Sequence, residues 1–300
     1  MQVLLPCVPT TLLFISMTKR ILVVLDPGHD THIATQYAIE IAKAHDGAVT
    51  GLALVDRKRI NEVVKGGGIG AMYYAEKLRR DLADEIRTEA QKLLSEFVKE
   101  VEAAGARHTH DHIAEDGIVQ AITEDMKTHD LLVAGHESHF YYADPERRTH
   151  VLADIVAEGA AATLVVESEY RPVRKVLVAY DGGKAAARAL QKFAHLSPFG
   201  TSLDIEIFHM RDEGREAQLE SERLLEGASA YLEAHGFASI FKTSVEGGDL
   251  LDGILDCCKS SQADLIVSGA YSASGIKKFF FGSTAKGLIE KSSVPLFLYH

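Results

Sequence analysis

The chain has 300 residues, 46% of them hydrophobic and 25% charged, with a formal net charge of −11. That length suits one large domain or two of ordinary size, each able to bury a core. The acidic balance argues against nucleic acid as a partner but leaves small anions open, because a few backbone N–H groups can hold a phosphate inside an acidic protein.

Taken in chain order, residues 1–16, MQVLLPCVPTTLLFIS, are apolar, lack a basic start and are too short to span a bilayer. They read as an upstream extension or a mis-called start, and Met17 opens the first unit. Membrane insertion is not expected. Strands are expected at Ile21–Leu25, Val49–Val55, His108–Ile113, Leu131–Ala134 and Thr163–Val166. Between them Ile33, Tyr37 and Ile41 recur at helical spacing, and Ala75–Glu102 reads as a long charged amphipathic helix.

The same succession then repeats. KRILVVLDPG at Lys19–Gly28 returns as RKVLVAYDGG at Arg174–Gly183, and HDLLVAG at His129–Gly135 returns as ADLIVSG at Ala263–Gly269. ATLVVE at Ala162–Glu167 aligns with VPLFLY at Val294–Tyr299. The chain is therefore read as a duplication, with units at 17–168 and 173–300 joined by the polar stretch Glu167–Lys175. The second unit should place strands at Val176–Ala179, Leu203–Phe208, Ile240–Val245, Leu265–Val267 and Leu296–Leu298. Runs as apolar as ILVVL suit parallel sheets covered on both faces. The fold class expected is α/β, two tandem doubly wound five-stranded parallel-sheet domains.

Cysteine occurs three times, at Cys7, Cys257 and Cys258, with no spacing that suggests disulfides, so a reducing cytoplasm is the expected compartment. Cys257 and Cys258 fall in a helical pattern and read as small core residues.

In such sheets ligands bind beyond the carboxyl ends of the strands, where strand order reverses. In the second unit those ends carry Tyr180-Asp181-Gly182-Gly183, His209-Met210 and Ser268-Gly269. A Gly282-Ser283-Thr284 turn precedes the last helix, whose unpaired N–H groups and dipole suit a phosphate. Two readings stand side by side here. Ser283 or Thr284 serves as a helix N-cap, or the turn cradles a phosphate; Asp181 likewise either caps the helix near Lys184 or meets a ligand.

The order of strand-one Asp, then ADLIVSGAYS…FFFGSTAKGLIEKSSVPLFL, resembles the universal stress protein family in its tandem two-domain form, across nearly all of Met17–His300. The resemblance implies an adenine nucleotide alpha hydrolase-like fold and, in the members that bind ATP, a G-x2-G-x9-G-[S/T] loop. Gly269, Gly282 and Ser283 keep that spacing; Ser272 stands where the second glycine would be, and its Cβ restricts the loop. The resemblance further implies that Ala179, Tyr180 and Asp181 meet the adenosine end and that Met210 flanks the base. Gly269, Ser272, Gly282, Ser283 and Thr284 would line the ribose and phosphates, and Lys277 and Lys278 are a solvated pair or neutralise phosphate charge. Magnesium is a cofactor that ATP would bring. The first unit keeps Asp26 and Gly135, but His150-Val151 align with Gly282-Ser283, so its nucleotide site is expected to be lost.

His108, His110 and His112 alternate at strand period and would share one face; with His136 and His139 they are weaker candidates for zinc. No G-x-x-x-x-G-K-[S/T], G-x-G-x-x-G or G-x-S-x-G motif follows a strand. The expected function is a stress-response binding module with ATP in the second unit and an internal pseudo-dimer of the two units, joined through their last strands. The competing class is an enzyme, a slow ATPase in the second unit or a metal-dependent hydrolase or ligand-binding activity in the His-rich first; a scaffold whose glycine turn is empty is a third reading, and a homodimer is a further arrangement open to the chain.

Overall fold

A computed structural model describes residues 18–55, 69–109, 111–115, 117–136, 145–270 and 282–300, with backbone alone at 69–72 and 145–148. The expectations for residues 1–16, and those for Cys7, His110, His139, Ser272, Lys277 and Lys278, lie outside the described residues.

The strands of the first half are β1 (Arg20–Leu25), β2 (Ala48–Leu54), β3 (Arg107–His108), β4 (His112–Ala114), β5 (Leu131–Gly135) and β6 (Ala162–Val166). Its helices are α1 (Asp30–Ala44), α2 (Ile69–Ala103), α3 (Ile118–Met126) and α4 (Pro145–Glu158). The second half has β7 (Lys175–Ala179), β8 (Asp204–Arg211), β9 (Ser239–Glu246), β10 (Leu265–Gly269) and β11 (Leu296–Tyr299). Its helices are α5 (Lys184–Leu196), α6 (Arg215–Ala234), α7 (Leu250–Ser261) and α8 (Ser283–Lys291).

Among the described residues all eleven strands lie in one sheet, in the order β3-β2-β1-β5-β6-β11-β10-β7-β8-β9, with β4 also on β2. Within each half every pairing is parallel, so each strand needs a helical crossover, and the helices cover both faces. Strand order reverses between β1 and β5 in one half and between β7 and β10 in the other.

The two halves meet edge to edge. β6 and β11 pair antiparallel, with Leu164 opposite Phe297. The carboxyl ends of the two sets of strands therefore point to opposite ends of the sheet. One face is buried under α1, α2, α5 and α6, through Tyr37, Phe97, Phe193 and Leu225 among others. The other lies under α3, α4, α7 and α8, through Ile122, Ile155, Cys258 and Leu288. Cys257 and Cys258 are buried, and burial above all pushes their thiols up, to about 12 and about 11, as inert core residues. Tyr37 pins the connection between halves, donating to the Arg171 carbonyl at 2.7 Å and accepting its N–H at 3.1 Å.

One expected strand is not continuous. His108–Ile113 is two short pieces, β3 and β4. Val49 faces His108 but Leu52 faces His112, so four steps on the edge match three on β2 and one residue is extra. The break is held by side chains: Asp111 Oδ1 accepts the Gly51 N–H at 2.8 Å, and Thr50 Oγ1 donates to the Thr109 carbonyl at 2.9 Å.

Candidate functional site: a crevice between β7 and β10

A cleft of about 760 Å³ opens at the carboxyl ends of β7, β8 and β10, where strand order reverses. That volume is in the range of small-molecule sites. Ala179, Tyr180 and Asp181 line it from β7, and Met210 from β8. Gly269 lines it from β10, and Gly282, Ser283 and Thr284 from the start of α8. Eight of the nine residues expected from the sequence are thus brought together, and the ninth, Ser272, is outside the described residues.

The backbone explains the shape. Tyr180 extends the ladder, its N–H bonding the Phe208 carbonyl at 2.9 Å. The chain then turns sharply at Gly182, whose φ of 74° is the left-handed region that glycine tolerates. Asp181 Oδ1 accepts the Gly183 N–H at 2.7 Å, an Asx-type turn that delivers the chain into α5. The capping reading of Asp181 holds to that extent, and its carboxylate also lines the cleft. Opposite, the Gly282 N–H bonds the Ala270 carbonyl at 3.3 Å, so the chain leaves β10 and returns to the same point.

The N-cap reading of Ser283 and Thr284 is corrected. Gly282 holds the cap position, with no side-chain hydrogen bond, and the two hydroxyl residues are the first two of the helix. α5 is likewise capped by a glycine, Gly183, without a side-chain bond, whereas α7 is capped by the Asp249 carboxylate, which accepts the Asp252 N–H. Two helix N-termini without side-chain caps therefore converge on the crevice, one from each face of the sheet. Gly269 lets them do so: a Cβ there would lie 2.6 Å from the backbone of Ala185 and Ala186.

At the outer end Met210 lies across α7, where a Cβ on Gly253 would meet its Cε at 2.5 Å. Gly247 and Gly248, with φ of 65° and 104°, form the lip. Arg211 is tied to Glu246 at 2.5 Å. Burial first, then the neighbouring Asp181 charge, raises the Tyr180 phenol above its usual range. Lys184, Arg188, Arg211, Gly247, Gly248 and His300 also line the cleft, and the sequence reading missed them. The Gly-Gly pair after a strand was a readable signal, as was the Lys184–Arg188 spacing of one helical turn beyond the strand-one turn.

The equivalent place in the first half is built differently. Asp26 makes the same turn, accepting the Gly28 N–H at 2.8 Å, but is 2% exposed. A Cβ on Gly135 would sit 2.3 Å from that of Asp30, which is also buried. Both halves keep the glycine, and what differs is its neighbour: Asp30 stands in the first half where Ala185 stands in the second. The expected alignment of His150-Val151 with Gly282-Ser283 shifts by one residue: Leu132 pairs with Thr163, and its counterpart Ile266 with Leu296. Thr149-His150 are the true counterparts, and they lie inside α4, which starts at Pro145.

The histidines do not gather. His108 contacts Asp111 and Glu102, the former raising its pKa most, while His112 reaches Asp125 at 3.1 Å. Their β2 partners Val49 and Leu52 belong to opposite faces, so the extra residue puts the two imidazoles on opposite faces too. The shared face expected from the alternation is overturned. Among the described residues no group of three or more His, Cys, Asp or Glu is placed to hold a metal ion.

His136 instead spans the seam. It pairs with Glu167 at 3.5 Å and bonds the Ile289 carbonyl of α8. The Glu167 hydrogen bond leads the causes that raise its pKa, opposed by burial and aided by the Glu167 charge, Ile289 and Asp30. A raised folded-state pKa gives stability that is full below about 6.5, the unfolded value, and fades as pH rises through the folded value. Glu167→Gln should therefore lower stability by about 1–2 kcal/mol at acid pH. The difference from the parent should shrink above neutrality in urea titrations at several pH values, and a constant difference would refute the linkage.

A model of the universal stress protein family matches residues 172–300. The chain is similar to universal stress protein Slr1230 of Synechocystis sp. (strain ATCC 27184 / PCC 6803 / Kazusa), 24% identical over 293 residues that cover 94% of this chain and 99% of that protein. In structure it is similar to a universal stress protein from Archaeoglobus fulgidus DSM 4304, with a TM-score of 0.65 at 18% identity over 93% of this chain and 95% of that one. It is also similar to protein PA1789 of Pseudomonas aeruginosa PAO1, described as functionally unknown, with a TM-score of 0.56 at 15% identity over 95% and 93% of the two chains. At these identities the structural likeness is one of fold, the α/β arrangement of universal stress proteins. The crevice described above lies wholly within the matched residues 172–300, and His300 of its lining also bonds the Val156 backbone of the first half. Among the described residues no helix is long and apolar enough to cross a membrane.

Proposed function

We propose that residues 173–300 bind an adenine nucleotide, ATP, in the β7–β10 crevice, and that residues 17–168 are a second copy of the unit that has lost this site. The observation that carries the reading is the convergence of two side-chain-free helix N-termini on Gly269 at the point of strand reversal. There Ser283 and Thr284 offer N–H and hydroxyl donors to phosphate, Ala179, Tyr180 and Asp181 meet the adenosine, and Met210 flanks the base. Any magnesium would be carried on the phosphates. In the first half Asp30 stands where the second half has Ala185, packed against Gly135, so a side chain fills the space beside that glycine, which supports loss of the site there.

The protein is then a cytoplasmic stress-response binding module, in which nucleotide occupancy shifts a conformation or a partner interaction, with hydrolysis slow or absent. Calorimetry of the full chain with ATP tests the whole reading. One site per chain is expected, with no phosphate release on the timescale of binding. Two sites would return the first half to service, and no binding would remove the nucleotide from the account.

A further inference from the structure

We propose that Lys184 and Arg188 form a polyphosphate subsite on the α5 wall of the cleft, so that the ligand is selected for a chain of phosphates and not for the nucleoside alone. This rests on the phosphate reading of the crevice and deepens it. The two residues stand one helical turn apart, both are exposed, and both line the cleft that Ser283 and Thr284 bound from the other side. Among the described residues neither makes a salt bridge, whereas Arg211, the third cation of the cleft, is held by Glu246.

Their placement works against the helix they sit on. Cations near a helix N-terminus oppose its dipole, and α1, α6 and α7 each carry an acidic residue in the first turn, namely Asp30, Glu216 and Asp252. α5 carries none there, and its sequence KAAARALQKFAHL contains no acidic residue at all, in a chain with 43 acidic and 32 basic residues. The row continues to Lys192, whose Nζ is committed to the Tyr299 ring at 5.5 Å. Lys184 and Arg188 remain for an anion in the crevice. His300 lines the same cleft; its imidazole bonds the Val156 backbone, and its Nδ1 is buried without a hydrogen-bond partner among the described residues. The cleft's own carboxylates are Asp181, turned to the Gly183 N–H, and Asp212.

The test compares ATP, AMP, adenosine and inorganic tripolyphosphate on the full chain and on a Lys184→Gln/Arg188→Gln double variant, whose exposed substitutions should leave folding intact. ATP affinity should fall about tenfold or more, AMP affinity less and adenosine affinity hardly at all, with a weaker salt dependence of ATP binding in the variant. Tripolyphosphate should compete with ATP on the parent only. An equal loss for all three adenine ligands, or no loss for ATP, would overturn the subsite while leaving nucleotide binding in place. A parent that binds tripolyphosphate through these cations but no adenine ligand would keep the subsite and remove the nucleotide reading. A parent that binds none of the four would remove both.

Discussion

Gly269→Ala is expected to cost about 1–3 kcal/mol of stability and to reduce ATP affinity by about tenfold or more, from a single added methyl group. The added carbon would lie 2.6 Å from the backbone of Ala185 and Ala186. A side-chain tip could turn aside, but a helix backbone can only move as a unit. α5 must therefore lift from β10, carrying Gly183 and the Asp181 turn with it and widening the crevice. Urea denaturation with and without ATP separates the two effects. Unchanged stability would mean that α5 moves freely, and unchanged affinity would mean that the crevice does not hold the ligand.

The second large effect lies far from the cleft. Phe297 is fully buried opposite Leu164 in the seam, 5.4 Å from the Phe193 ring, which in turn stacks on Phe237 at 5.9 Å. Phe297→Ala should cost about 3–5 kcal/mol, the sum of lost transfer energy and a cavity whose walls belong to two halves and cannot both collapse inward. Chemical denaturation checks this. A loss below about 1 kcal/mol would show that the seam repacks around the gap.

Much of this architecture was legible because the signals were local and repeated. Apolar runs such as RILVVL and KVLVA marked strands to within a residue or so, since burial on both faces leaves no alternation to misread. The crevice residues were legible because strand ends follow from strands. Three misses have physical causes. The edge strand at His108–Ile113 was read as continuous, because nothing in RHTHDH announces that Asp111 will replace a ladder partner by bonding Gly51. That one extra residue reversed the facing of the histidines behind it. The counterparts of Gly282-Ser283 were placed one residue late because ATLVVE and VPLFLY were matched by apolar character, which does not fix register; the pairing of Leu132 with Thr163 and of Ile266 with Leu296 does. Lys184 and Arg188 were passed over in favour of the loop lysines Lys277 and Lys278, since periodicity shows which helix face is apolar but not which polar residues look into a cleft.

The antiparallel seam has a consequence for how such a molecule behaves in a mixed population. Two separate units joined through these strands would dissociate and re-pair, and the fraction paired would follow their concentration. Here the eight residues Glu167–Arg174 join the partners, and a short tether holds them at an effective concentration of roughly millimolar. Pairing is thus independent of expression level, and exchange with other copies is suppressed. The second unit always meets the same unlike neighbour, so whatever α4 and His136 contribute across the seam is delivered one to one, at any dilution.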